Sequence, residues 1–271
     1  MFKIKLAIMT ILLLLSQSLA MANKTFDPNH TTYNQVLKDF VKDGLVNYAG
    51  LKQTPHQLKQ YLNDLSQVKK DIFKKWDKDQ QLAFLINLYN SATLKLIIDH
   101  YPIKSIKDIG WFLKGPWDQK FVKLFGQTIT LSTLEHEIIR KDYNEPRIHM
   151  ALVCAAMGCP SLRNEPYVGE KLDAQLNDDT RKFLNSKKGL QIDRNKKIVY
   201  LTSIFKWFGE DFVNKYAPKS GFEGFNRTEQ AVLNFVSRYV SQEDQKYLQT
   251  GNYSIKYLDY DWSLNERQVS K

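Results

Sequence analysis

The sequence predicts an α+β fold, predominantly helical with a small, mostly antiparallel sheet, and three observations carry that expectation. Apolar residues recur at helical spacing along much of the chain, two pairs of short apolar stretches flank turn signals, and no supersecondary unit repeats along it. The 271 residues are 43% hydrophobic, 25% charged and 13% aromatic, which is enough apolar material for a packed core and too much for a disordered chain. Two cysteines are too few to staple a chain of this length, so the core must carry its stability.

Lys3 and Lys5, an apolar stretch from Leu6 to Leu15, and Ala20-Met21-Ala22 together form the pattern of a secretory signal. Residues 1–22 are therefore expected to be a cleaved signal peptide and residues 23–271 a single globular domain, periplasmic or secreted. The mean hydropathy of −0.44 and the shortness of the apolar stretch predict no integral membrane span after cleavage. Losing Lys3 and Lys5 takes the net charge from +10 to +8. Basic residues alternate with acidic ones, as in Lys74-Lys75-Trp76-Asp77-Lys78-Asp79, and no basic helix is interleaved with stacking aromatics, so no nucleic-acid partner is expected.

Between Tyr33 and Val68, Leu37, Phe40 and Val41, then Leu58, Tyr61, Leu62 and Leu65, predict two helices around a turn at Asp43-Gly44. From Asp79 to His100 the stripe of Leu82, Leu85, Ile86, Tyr89, Thr93, Leu96 and Ile97 predicts a core helix, stopped by Tyr101-Pro102. Lys120–Leu124 and Thr128–Thr130 flank Gly126 as a hairpin, and a short helix is expected from Ser132 to Lys141. The apolar run Ile148–Cys154 reads as a buried strand. A helix over Lys171–Leu184 follows, then a second hairpin of Leu190–Asp193 and Lys197–Leu201 around Arg194-Asn195. Val232–Tyr239 is expected to be helical, and the aromatic tail Tyr253–Leu264 to lie across the body.

The unusual chemistry is concentrated between Glu135 and Tyr167: Glu135, His136, His149, both cysteines (Cys154 and Cys159), Arg163 and Tyr167. Cys–His catalysis needs a thiol beside an imidazole, which keeps thiolate available, and a third polar group to orient the ring. Each member also has a structural role open to it. Ser132-Thr133-Leu134-Glu135 fits a capping box, and Glu135 and His136, about 100° apart around a helix, cannot easily orient one another. His149 suits a satisfied core position and Cys154 a small buried hydrophobe. The two cysteines, five positions apart, suit a disulfide in an oxidising compartment, or a zinc site completed by His136 or His149. Asn87 and Asn90, at i and i+3 off the apolar stripe, either orient a site or bond neighbouring backbone. With no phosphate-cradling glycine loop and no nucleophile-elbow serine, no cofactor is implied.

Ala83–Asn90, Leu134–Arg140 and Pro146–Arg163, in that order, resemble the signature blocks of the "domain of unknown function 547" family, and with their flanks the similarity runs from Tyr33 to Tyr216. Tyr257–Asn265 resembles the tail of the family's exported bacterial members. The resemblance implies a relation to papain-like or transglutaminase-like cysteine hydrolases. It points to Glu135, His136, Cys154, Arg163 and the Asn87/Asn90 pair, with His149 and Cys159 typical of the bacterial form. One departure is Lys95, where many bacterial relatives carry a histidine. The leading expectation is a cysteine-dependent hydrolase or acyltransferase acting on amide or ester bonds of a peptide or envelope component. Cys154 is the nucleophile in that reading, with Cys159 its alternate, and His136 the base, with His149 its rival. Glu135 supports them, Arg163, Asn90, Asn87 and Tyr167 meet the substrate, and no metal takes part. Two rivals stand beside it: a non-catalytic cell-envelope module whose cysteines are structural and whose basic surface meets anionic glycan or lipid, and a zinc-binding protein.

Overall fold

The computed structural model describes residues 26–110 and 114–268, and the expected signal peptide over residues 1–22 lies outside them. Its N-terminal part holds helix α1 (Thr31–Phe40), a hairpin of β1 (Val41–Lys42) and β2 (Leu45–Val46), then α2 (Tyr48–Gln53) and α3 (His56–Ser66). Two helices around a plain turn were expected. Asp43-Gly44 instead takes positive φ at both residues, the twist that closes a tight hairpin. A short α4 (Lys70–Phe73) leads to α5 (Lys78–His100), capped by Asp77, whose carboxylate accepts from the Gln80 amide at 2.7 Å.

Helix α5 organises the rest. Every residue from Gln81 to Leu94 is buried, so the helix is enclosed rather than laid on a surface by one stripe. Helices α2 and α3 pack against it on one side. The segment after the β3 (Val122–Leu124) and β4 (Gln127–Ile129) hairpin packs on another, and that hairpin turns at Phe125-Gly126 as the sequence predicts. The expected short helix is present, but Thr133–Ile139 is π-helical and only Arg140–Asp142 returns to α geometry. Its cap also differs. Thr130 Oγ1, not Ser132, accepts the Thr133 amide at 2.8 Å, so the capping box does not form and Glu135 is left for another role.

Ile148–Cys154 is not a strand. Pro146–Met150 forms a 3₁₀ turn and the chain then runs irregularly to Cys154, because the amides of α5 supply the hydrogen bonds that a neighbouring strand would. Asn90 Nδ2 donates to Ala151 O at 2.9 Å, and Val153 N–H donates to Asn90 Oδ1 at 2.9 Å. Asn87 holds Tyr167 in the same way, donating to its carbonyl at 2.7 Å and accepting its amide at 3.0 Å. The remaining elements are α6 (Leu172–Leu184), β5 (Leu190–Asp193), β6 (Ile198–Leu201), α7 (Ser203–Phe208), α8 (Val213–Tyr216), α9 (Arg227–Ser237), α10 (Gln242–Gln249) and β7 (Ser254–Tyr257). β5 and β6 form the expected hairpin, and β7 joins β6 in parallel. A second apolar cluster, built on Phe205, Phe212 and Phe235, lies under this sheet and α9.

After β7 the tail crosses the body, as expected. Gly158 N–H donates to Asp261 O at 2.8 Å and Met157 N–H to Ser263 O at 2.8 Å, while Val46 N–H donates to Asn265 O at 2.9 Å. Gly158 is required at that crossing, since a Cβ there would stand 2.9 Å from the Asp261 nitrogen and 3.0 Å from the Tyr260 ring.

Arg163 closes the segment that follows. Its guanidinium meets Glu165, Asp178 and Asp179 at 2.7, 2.6 and 2.7 Å, and Tyr167 Oη donates to Asp179 at 2.7 Å. Burial pushes the Asp179 carboxyl up to about 6 against the opposing pull of Arg163 and Tyr167.

Asn90→Ala leaves Ala151 O and Val153 N–H buried without partners, and is expected to cost about 2–4 kcal/mol in urea unfolding. Asp179 titrates above its unfolded value of 3.8, so its contribution to stability is full below that value and is lost as pH rises through about 6. Urea midpoints measured across that range should fall for the wild type, and Asp179→Asn should flatten that part of the profile.

Candidate functional site

The sulfurs of Cys154 and Cys159 are joined in a disulfide. Cys159 is 2% exposed, and Cys154 is half-buried. Tyr260 Oη, delivered by the tail, lies 3.1 Å from Cys154 Sγ and 3.0 Å from Cys159 Sγ, and the Cys154 amide donates to Cys159 Sγ at 3.0 Å. Ala155, between them, sits in the left-handed region at φ 59°, and its carbonyl accepts from Asn265 N–H at 3.1 Å. Lys188 Nζ donates to the carbonyls of Met157 and Cys159 at 3.1 and 2.8 Å, and burial holds its pKa below the ordinary lysine value. Joined sulfurs hold no thiolate, so in this state neither cysteine is a nucleophile.

The two imidazoles belong to a different cluster. Arg140, one turn beyond His136 on the same helical segment, points Nη1 at His136 Nδ1 at 2.9 Å. A guanidinium only donates, so Nδ1 accepts and the ring proton sits on Nε2, which removes the lone pair a general base would use there. Arg140 also forks onto Asp211, with Nε to Oδ2 at 2.7 Å and Nη2 to Oδ1 at 2.9 Å. His149 Nε2 donates to Asp211 Oδ2 at 2.8 Å and its ring stacks on Phe208 with centroids 4.4 Å apart. Burial raises the Asp211 carboxyl, but the bonds from His149 and Arg140 outweigh it and hold the group well below the usual carboxylate range.

Asp211 is thus the carboxylate that the sequence reading lacked, and it orients His149 rather than His136. It lies in the 3₁₀ turn Gly209–Phe212, far along the chain, with no pattern in the sequence tying it to either histidine. The hydrogen-bond partners of the imidazoles are Arg140 and Asp211, and those of the sulfurs are Tyr260 and the Cys154 amide. The expected Cys–His pair is therefore divided between two networks.

Glu135 stands between them. It is buried, close enough to Arg140 to favour its charge, and bonded to the Tyr89 hydroxyl of α5, which Trp117 also reaches. Burial first, then Glu135, pushes the Tyr89 hydroxyl well above its ordinary value. Outside this buried chain lies an aromatic ledge. Trp207 is 45% exposed, its ring 4.9 Å from Tyr260 and 5.9 Å from Trp262, to which it is roughly parallel. Tyr260 and Trp262 are 4.6 Å apart, Trp117 meets Trp262 edge-on at 6.0 Å, and Lys107 Nζ sits 3.7 Å over the Trp262 ring. Tyr260 is shared, with its ring in the ledge and its hydroxyl on the sulfurs.

The residues expected at a substrate lie elsewhere. Asn87, Asn90, Arg163 and Tyr167 are engaged in the backbone clamps and in the acidic cluster where Arg163 meets Glu165, Asp178 and Asp179. Lys95 pairs with Asp99 one turn along α5. Among the described residues no group of three or more His, Cys, Asp or Glu side chains is arranged to hold a metal ion. A cleft of about 510 Å³ lined by Lys78, Asp79, Tyr143, Glu145 and Arg147 holds none of the cysteines, histidines or ledge aromatics.

No curated protein and no solved structure matches the chain. One family model does, over residues 73–184, a span that holds α5, the π-helical segment, both cysteines, Arg163 and α6 but neither Asp211 nor the tail with Tyr260. Its description is "Protein of unknown function, DUF547", and over residues 73–184 the chain is similar to that family.

Proposed function

We propose that the protein is an exported ligand-binding module of the cell envelope, and that its ligand, an anionic glycan, lies on the aromatic ledge. The observation that carries this reading is Trp207. A large aromatic ring left 45% exposed, nearly parallel to a second tryptophan and beside a tyrosine, presents a broad apolar face at low entropic cost. The flat apolar side of a sugar ring suits such a face. Lys107 at the ledge and the basic balance of the chain favour a partner carrying carboxylates or phosphates. The basic start, apolar stretch and small-x-small site over residues 1–22 support export.

The hydrolase and zinc readings receive no comparable support. Acyl transfer needs a thiolate beside a free imidazole nitrogen, whereas the sulfurs are joined and His136 Nδ1 accepts from Arg140. A zinc site needs a converging set of ligands, and the disulfide withdraws both cysteines from one.

Co-sedimentation of the full chain with peptidoglycan sacculi tests the reading. The wild type is expected to pellet in a salt-sensitive way, and Trp207→Ala to weaken binding about tenfold or more, the worth of an aromatic anchor, with an unchanged circular dichroism spectrum. A wild type that stays in the supernatant, or a Trp207→Ala protein that pellets equally, overturns it.

A further inference from the structure

The disulfide has two unlike ends. Cys154 is half-buried beside the ledge, and Cys159 is enclosed. Among the described residues Cys159 Sγ receives two donors, the Cys154 amide at 3.0 Å and Tyr260 Oη at 3.0 Å, whereas Cys154 Sγ has the shared hydroxyl at 3.1 Å. A disulfide sulfur accepts weakly and gains little from such donors, but a thiolate gains a charge-assisted bond from each. Lys188, on the carbonyls of Met157 and Cys159, adds a cation to the same loop. A bond serving only as a staple needs none of this, and the arrangement fits the leaving group of an exchange reaction.

We infer that Cys154–Cys159 is a thiol-exchanging pair that oxidises cysteinyl thiols, attacked at Cys154 and releasing Cys159. An incoming thiolate forms a new S–S bond to Cys154 Sγ; the bond between Cys154 and Cys159 breaks, and its electron pair leaves on Cys159 Sγ, held by the Cys154 amide and Tyr260. A second thiolate from the substrate then attacks the mixed disulfide and takes the first sulfur, so that two thiols become one disulfide and the pair becomes a dithiol. A disulfide compound restores it by the reverse steps. The exchange does not depend on what the ledge binds.

Glutathione is the probe. The full chain, native and without denaturant, is incubated with millimolar glutathione at neutral pH, quenched in acid, alkylated and weighed by mass spectrometry. The wild type is expected to be reduced within minutes by reduced glutathione, and Cys159→Ser, given oxidised glutathione instead, to carry one glutathione on Cys154 as the other half leaves as the thiol. Tyr260→Phe, which removes one donor but keeps the ring, is expected to slow reduction by about three- to tenfold. A wild-type pair that resists glutathione until urea is added overturns the inference, as does a Tyr260→Phe protein reduced at the wild-type rate.

Discussion

A helix buried on all sides can satisfy its polar side chains only with the chain that surrounds it, and that constraint on α5 sets the geometry of everything around the cysteines. Asn87 and Asn90 each bond both polar groups of a backbone segment that has no strand beside it. The irregular run from Ala151 to Tyr167 is thereby fixed at two points by one rigid element, and Cys154 follows directly from the second clamp. In a low-dielectric interior such bonds are costly to leave unmade, so the loop inherits the rigidity of the helix.

The second constraint is the tail. It arrives from β7, pairs with Gly158 and Met157, and reaches the N-terminal hairpin at Val46, so residues from the two ends of the described chain meet over the disulfide. Tyr260 is the product of that crossing. One side chain bonds both sulfurs and stacks in the ledge, which couples the chemistry of the pair to the surface where a ligand is proposed to lie. Phe208 plays a parallel part for the imidazoles, stacking on His149 while the Arg140 guanidinium sits 4.9 Å from its ring.

Much of the fold was legible from periodicity. The core helix and its stop, both hairpins and the helix over Leu172–Leu184 follow from apolar spacing and turn residues. Ile148–Cys154 misled because a buried irregular segment and a buried strand are equally apolar; what separates them is whether a partner strand or two asparagines supply the bonds. The β6–β7 pairing escaped because a parallel partner arrives from far along the chain, with no local turn to announce it. The site was half legible. The span from Glu135 to Tyr167 was found by its density of reactive residues, but Asp211, Trp117, Trp207 and Tyr260 come from separated segments brought together only by folding. For Asn87 and Asn90 the spacing left a site and backbone bonding both open, and the structure shows the backbone bonds.

The sulfurs are joined and bonded by Tyr260 and the Cys154 amide, while the imidazoles are held by Arg140 and Asp211, so this state offers no thiolate to either ring. Non-reducing peptide mapping of the full chain, alkylated during denaturation, tests this directly. The account predicts a single cross-linked species joining the Cys154 and Cys159 positions and no alkylated cysteine. Stoichiometric alkylation of both, in protein prepared without reductant, would contradict it.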